Sequence, residues 1–150
     1  MCLMLYLATA EEQPLRSSPE LSVEAIQSYA GPVRQWFSLP AIRYVGAHTG
    51  CSCGFRSVNA EEPIDYWEGL FDLSDDDRKN LESTRALVAL IRGLAAGGAV
   101  EMYPVWAGDE GLSPKRTIEL QAATLDPERF FLNERFLYRI YETPPAAWKS

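Results

Sequence analysis

The chain has 150 residues, of which 47% are hydrophobic and 23% charged, and a formal charge of −7; it is long enough to remove roughly 68–70% of its unfolded surface from water around a single core. The acidic balance, with Lys115-Arg116 and the Arg135/Arg139 pair isolated in mixed sequence, argues against a nucleic-acid partner. No stretch reaches the ~18 apolar residues of a membrane helix, and three cysteines without a secretory leader point to a reducing cytoplasm rather than a disulfide framework.

Residues 1–8 place Leu3, Leu5 and Leu7 on one face and Cys2, Met4 and Tyr6 on the other, which predicts a first strand covered on both sides. Residues 9–20, with Pro14, Ser17, Ser18 and Pro19, read as a loop. Ser22 is placed to cap a short helix running to Tyr29 and stopped by Gly31-Pro32. Residues 33–37 are ambiguous between strand and turn, and residues 41–47 predict a second strand. Residues 61–71, with Pro63, Ile64, Tyr66, Trp67, Leu70 and Phe71, read as a short helix.

The clearest helix is 75–96. Ser74 and Asp77 form a capping box, Asp75 and Asp76 favour the positive end of the dipole, and Gly97-Gly98 supplies the stop. Leu81, Thr84, Val88, Ile91 and Ala95, widened by Leu87 and Leu94, form its apolar stripe. Segments 100–106, 117–124 and 136–141, separated by Gly108-Asp109-Glu110-Gly111 and Asp126-Pro127, read as an antiparallel meander. From Thr143, Pro144-Pro145 lead the chain off the sheet, so 143–150 is expected to be an extended tail. The expected fold is one α+β domain over residues 1–150: about five strands in a mixed or antiparallel sheet, with helix 75–96 across one face.

Chemistry concentrates in His48-Thr49-Gly50-Cys51-Ser52-Cys53-Gly54, which holds the only histidine and two of the three cysteines. Thiolate and imidazole are the usual zinc ligands, so His48, Cys51 and Cys53 are candidate metal ligands. Cys2 is the candidate fourth ligand. It reaches the loop if strands one and two are antiparallel, and lies roughly 20 Å away if they are parallel neighbours. Glu61, Glu62 and Asp65 are substitutes without a spacing argument. The C-x-C spacing departs from the C-x-x-C of a zinc knuckle, which weakens the motif; zinc or another thiophilic metal is the cofactor such a loop would take.

The same residues have two other readings: a Cys51–Cys53 redox pair, and a Cys51 or Cys53 nucleophile with His48 as base. The plain alternative makes each cysteine a small buried hydrophobe and the histidine a satisfied polar group. Gly46, Gly50 and Gly54 match no phosphate-loop pattern and read as turn glycines. Trp36, Phe37, Tyr103 and Trp106 read as core before pocket, and Glu61, Glu62, Asp65 and Glu68 as a solvated acidic face before an acid–base pair. The expected function is a small soluble cytoplasmic domain of bacterial type, a non-enzymatic interaction or structural protein engaging a protein partner or small molecule. The alternative is a metal-binding or thiol-redox protein built on the Cys/His loop.

Overall fold

The computed structural model describes residues 2–12, 14–58 and 75–143. The expected helix over 61–71, the Ser74 cap, Glu61, Glu62, Asp65, Glu68 and the tail beyond residue 143 lie outside them. Among the described residues the strands are β1 (Leu3–Thr9), β2 (Ser22–Ala25), β3 (Ala41–Gly46), β4 (Ser57–Val58), β5 (Val100–Trp106), β6 (Arg116–Gln121), β7 (Leu132–Asn133) and β8 (Phe136–Tyr141), with one α-helix, α1 (Asp75–Gly97). Six strands form a mixed sheet in the order β2-β3-β1-β5-β8-β6, and β4 pairs with β7 separately. This is the expected α+β class with one strand more than anticipated.

The sheet is covered on both faces because β1, β5 and β8 are apolar at successive positions. On one face Leu5, Leu7, Val100, Met102, Phe136 and Ile140 pack with Leu87, Val88, Ile91 and Ala95 of α1. The helix therefore buries the stripe its periodicity predicts. On the other face Tyr6, Tyr44, Tyr103, Val105 and Leu137 pack with Ala30 and Val33 of the 3-10 segment Ser28–Trp36. Each fully buried leucine or isoleucine contributes roughly 1.5–3 kcal/mol relative to leaving it in water.

Two expectations are corrected. Residues 22–25 form strand β2, not the start of a helix: an eight-residue helix is marginal alone, whereas pairing Ser22 with Gly46 and Ala25 with Arg43 satisfies the open edge of β3. The C-terminal segments do not form an antiparallel meander. β8 lies between β5 and β6, antiparallel to the first and parallel to the second. Residues 122–135, of which the sequence pattern assigns 122–124 to the strand and Asp126-Pro127 to a turn, make the longer crossover that a parallel pair requires. The strand sequences explain the order: β8 buries residues on both faces and suits the interior, while Thr117, Glu119 and Gln121 of β6 are exposed and suit an edge.

One polar cluster crosses the second face. Glu101 is fully buried, and its Oε1 accepts from the Ser38 amide (2.8 Å), the Ser38 hydroxyl (3.0 Å) and the Leu39 amide (2.9 Å). Its Oε2 accepts from Arg139 Nε at 3.1 Å, across the β5–β8 ladder. Among the described residues, no helix is long and apolar enough to cross a membrane.

Candidate metal centre

β1 and β3 are antiparallel, with Leu5 opposite Val45, so the start of β1 meets the end of β3. This is the strand direction under which Cys2 can approach the loop. Beyond Gly46 the chain turns tightly: the Gly50 amide donates to Ala47 O at 2.9 Å and the Ala47 amide to Cys51 O at 3.2 Å. Gly50 has φ +78°, a conformation open to glycine at little cost. A Cβ on Gly46 would lie 2.4 Å from Gly50 O, so the loop can fold this closely only over a bare backbone.

Ser52 fastens the loop to both strands. It is fully buried, and its Oγ accepts from the Leu5 amide at 2.8 Å and donates to Val45 O at 2.8 Å. It thereby supplies the β1 backbone with a partner where β3 departs. With Ser52 turned inward, the flanking Cys51 is half-buried and Cys53 exposed.

Cys51 and Cys53 Sγ lie 3.1 Å apart, and Cys2 joins them so that all three sulfurs fall within 4.8 Å of one another. Sulfurs in a tetrahedral zinc site stand about 3.8 Å apart, given a Zn–S bond of about 2.3 Å. The sulfurs are thus within about an ångström of that spacing, the Cys51–Cys53 pair on its short side. The sulfurs also receive backbone N–H groups, Leu3 N to Cys53 Sγ at 3.1 Å and Cys53 N to Cys51 Sγ at 3.5 Å. Such bonds strengthen when a thiol becomes a thiolate, because the acceptor then carries charge. The Cys51 S–H has two alternative acceptors, Cys53 Sγ and Leu3 O at 3.6 Å.

Burial pushes the Cys51 thiol up to about 12, with the neighbouring thiols of Cys53 and Cys2 adding to it and the Cys53 amide opposing it. Metal-free Cys51 is therefore protonated at neutral pH, which disfavours it as the initiating nucleophile of a catalytic pair. Arg56, the one cation near in sequence, turns away: its Nη1 donates to Glu128 O at 3.0 Å and its guanidinium covers the Phe131 ring.

His48 does not join the sulfurs. Its amide donates to Ser83 Oγ at 3.1 Å and its Nδ1 lies 2.9 Å from the same oxygen, which also donates to Glu20 O at 2.9 Å. Because the hydroxyl has one proton, directing it to Glu20 O requires Nδ1 to carry the ring proton. The histidine thus ties the loop to α1, and a His48-based catalytic pair has no geometric support here. Its place beside the cysteines is taken by Cys2.

Ser52 and Ser83 are the site residues that sequence reasoning passed over. The signal for Ser83 was its position beside Thr84 in the apolar stripe of α1, where a buried hydroxyl must find a partner. Of the aromatic residues read as core, Tyr103 is fully buried, and half-buried Trp36 and Phe37 pack against the second cluster, Trp36 Nε1 donating to Glu110 O at 2.9 Å; Trp106 is half-buried and lies in neither cluster. No protein-family model, no curated protein and no solved structure matches this chain.

Proposed function

We propose that the chain is a metal-binding domain in which Cys2, Cys51 and Cys53 hold one thiophilic ion, Zn²⁺ or Cu⁺, as thiolates. The observation that carries this reading is the convergence of three sulfurs from two distant chain segments to within 4.8 Å. Soft thiolates select these ions, and the Leu3 and Cys53 amides would support the charge that develops on sulfur. A bound ion would clasp the start of β1 to the β3 exit loop, a stabilising role in a non-enzymatic domain.

The test is the metal content of tag-free, reduced protein after dialysis with zinc or with copper held as Cu⁺. One tightly held ion per chain, lost in Cys2→Ser, supports the reading. Substoichiometric binding of both metals sinks it and leaves the thiols as backbone caps of β1.

A further inference from the structure

We infer that Cys51 and Cys53 are also a modification site for peroxides, closing a reversible disulfide that expels the bound ion; only the expulsion rests on the metal reading. Three observations separate this pair from Cys2. Cys51 and Cys53 Sγ are already 3.1 Å apart. The residue between them is anchored by two buried hydrogen bonds through Ser52 Oγ, so both sulfurs are held on one short turn. Cys2 belongs to another segment, where its carbonyl accepts from the Ala107 amide at 2.8 Å in the continuation of the β1–β5 ladder.

Of the pair, exposed Cys53 is the sulfur a peroxide reaches first; Cys2 is exposed too, but it is the Cys51 sulfur that stands 3.1 Å from Cys53 on the same turn. Its sulfur attacks one peroxide oxygen: an S–O bond forms, the O–O bond breaks, and the departing hydroxide leaves as water with the thiol proton. Cys51 sulfur then displaces the oxygen on Cys53. The S–S bond forms, the S–O bond breaks, and the second hydroxide leaves as water with the Cys51 proton. Two thiols are oxidised and one peroxide is reduced to two waters. When both sulfurs are metal-bound thiolates, the two protons come from solvent, and the ion loses two of its three sulfur ligands. A bridge across a single residue, open to solvent on its Cys53 side, belongs to the labile class that thiols readily reduce.

The probe is hydrogen peroxide, added to the full chain in zinc-loaded and metal-free form, followed by alkylation and peptide mass mapping. We expect the peptide holding Cys51 and Cys53 to be lighter by two hydrogen atoms and closed to alkylation, Cys2 to remain alkylated, and dithiothreitol to reverse the change. The loaded sample should release one zinc per bridge to a chromogenic chelator. Metal-free Cys2→Ser should still close the Cys51–Cys53 bridge, whereas Cys51→Ser and Cys53→Ser cannot. A bridge through Cys2 in the parent chain, or sulfinic acid without a bridge in Cys2→Ser, overturns the assignment, and zinc retained beside a closed bridge overturns expulsion. A bridge in protein that never takes up zinc upholds the modification and sinks the metal reading; zinc uptake without a bridge does the reverse.

Discussion

The Leu3 amide donates to the Cys53 sulfur at 3.1 Å across 50 residues of chain. Two residues further along β1, the Leu5 amide donates to Ser52 Oγ. The loop thus replaces β3 as the partner of β1 where β3 ends, and a stabilising contact of the sheet is also the support of a thiol cluster. Stability and metal affinity should therefore respond together to changes at Ser52.

Ser52→Ala leaves the Leu5 N–H and Val45 C=O without their side-chain partner in a buried setting. The expected cost is about 1–3 kcal/mol for each group so orphaned, read as a lower urea midpoint with an unchanged slope. Zinc affinity should fall in the same variant, since the turn that aligns Cys51 with Cys53 is released. Unchanged stability would show that Ser52 is not the fastening point.

His48 and Cys2 should behave oppositely in a zinc competition assay. Cys2→Ser removes a ligand and is expected to weaken binding by at least about 10–100-fold, the range that loss of an outer-shell partner alone produces. His48→Ala loses the Ser83 contact but no ligand, and should bind zinc within about threefold of the parent. Equal losses in the two variants would return His48 to the metal shell.

The position of Cys51 makes metal-free stability depend on pH with a definite sign. Its thiol is pushed up to about 12 when folded, while an unfolded thiol titrates near 8.5. Above about pH 8.5 the unfolded chain loses a proton that the folded chain keeps, so this contribution is complete below that pH and is lost as the pH rises towards 12. Urea unfolding at about pH 8 and about pH 10 should show a larger fall for the parent than for Cys51→Ser. Zinc affinity moves the other way over the neutral range, because binding displaces thiol protons and strengthens as pH rises.

Much of this was legible in the chain. The β1 alternation, the α1 stripe and the cysteine loop are local patterns, and each reappears in the packing. The place of β8 was less accessible, because strand order depends on which apolar run other strands enclose; the evidence lay in the polar alternation of Thr117, Glu119 and Gln121, which marks β6 as an edge. Likewise, Ser22 carries a sound capping signal that pairing with β3 overrides. At the site, residue types nominated Cys51 and Cys53, but partner choice was a matter of tertiary geometry: strand direction brought Cys2 in, and Ser83 drew His48 out.

Away from the site, Glu101 offers a check on the sheet. Glu101→Ala removes the acceptor of Ser38 and Leu39 and leaves Arg139 without its carboxylate. Glu101 is fully buried while 27% of the Arg139 side chain is exposed, so the expected cost is about 1.5–3 kcal/mol, that of lost hydrogen bonds to a charged group. Glu101→Gln keeps an oxygen acceptor and should lose less, and an equal loss in calorimetric or urea unfolding would contradict the assigned hydrogen bonds.

Cobalt(II) titration of the reduced, tag-free protein tests the central claim most directly, because thiolate-to-cobalt charge transfer reports sulfur bound to the ion. The account predicts a band that saturates at one cobalt per chain, is displaced by zinc, persists in His48→Ala and weakens in each of Cys2→Ser, Cys51→Ser and Cys53→Ser. No charge-transfer band at saturating cobalt, or a band of undiminished intensity in Cys2→Ser, would contradict a three-cysteine centre.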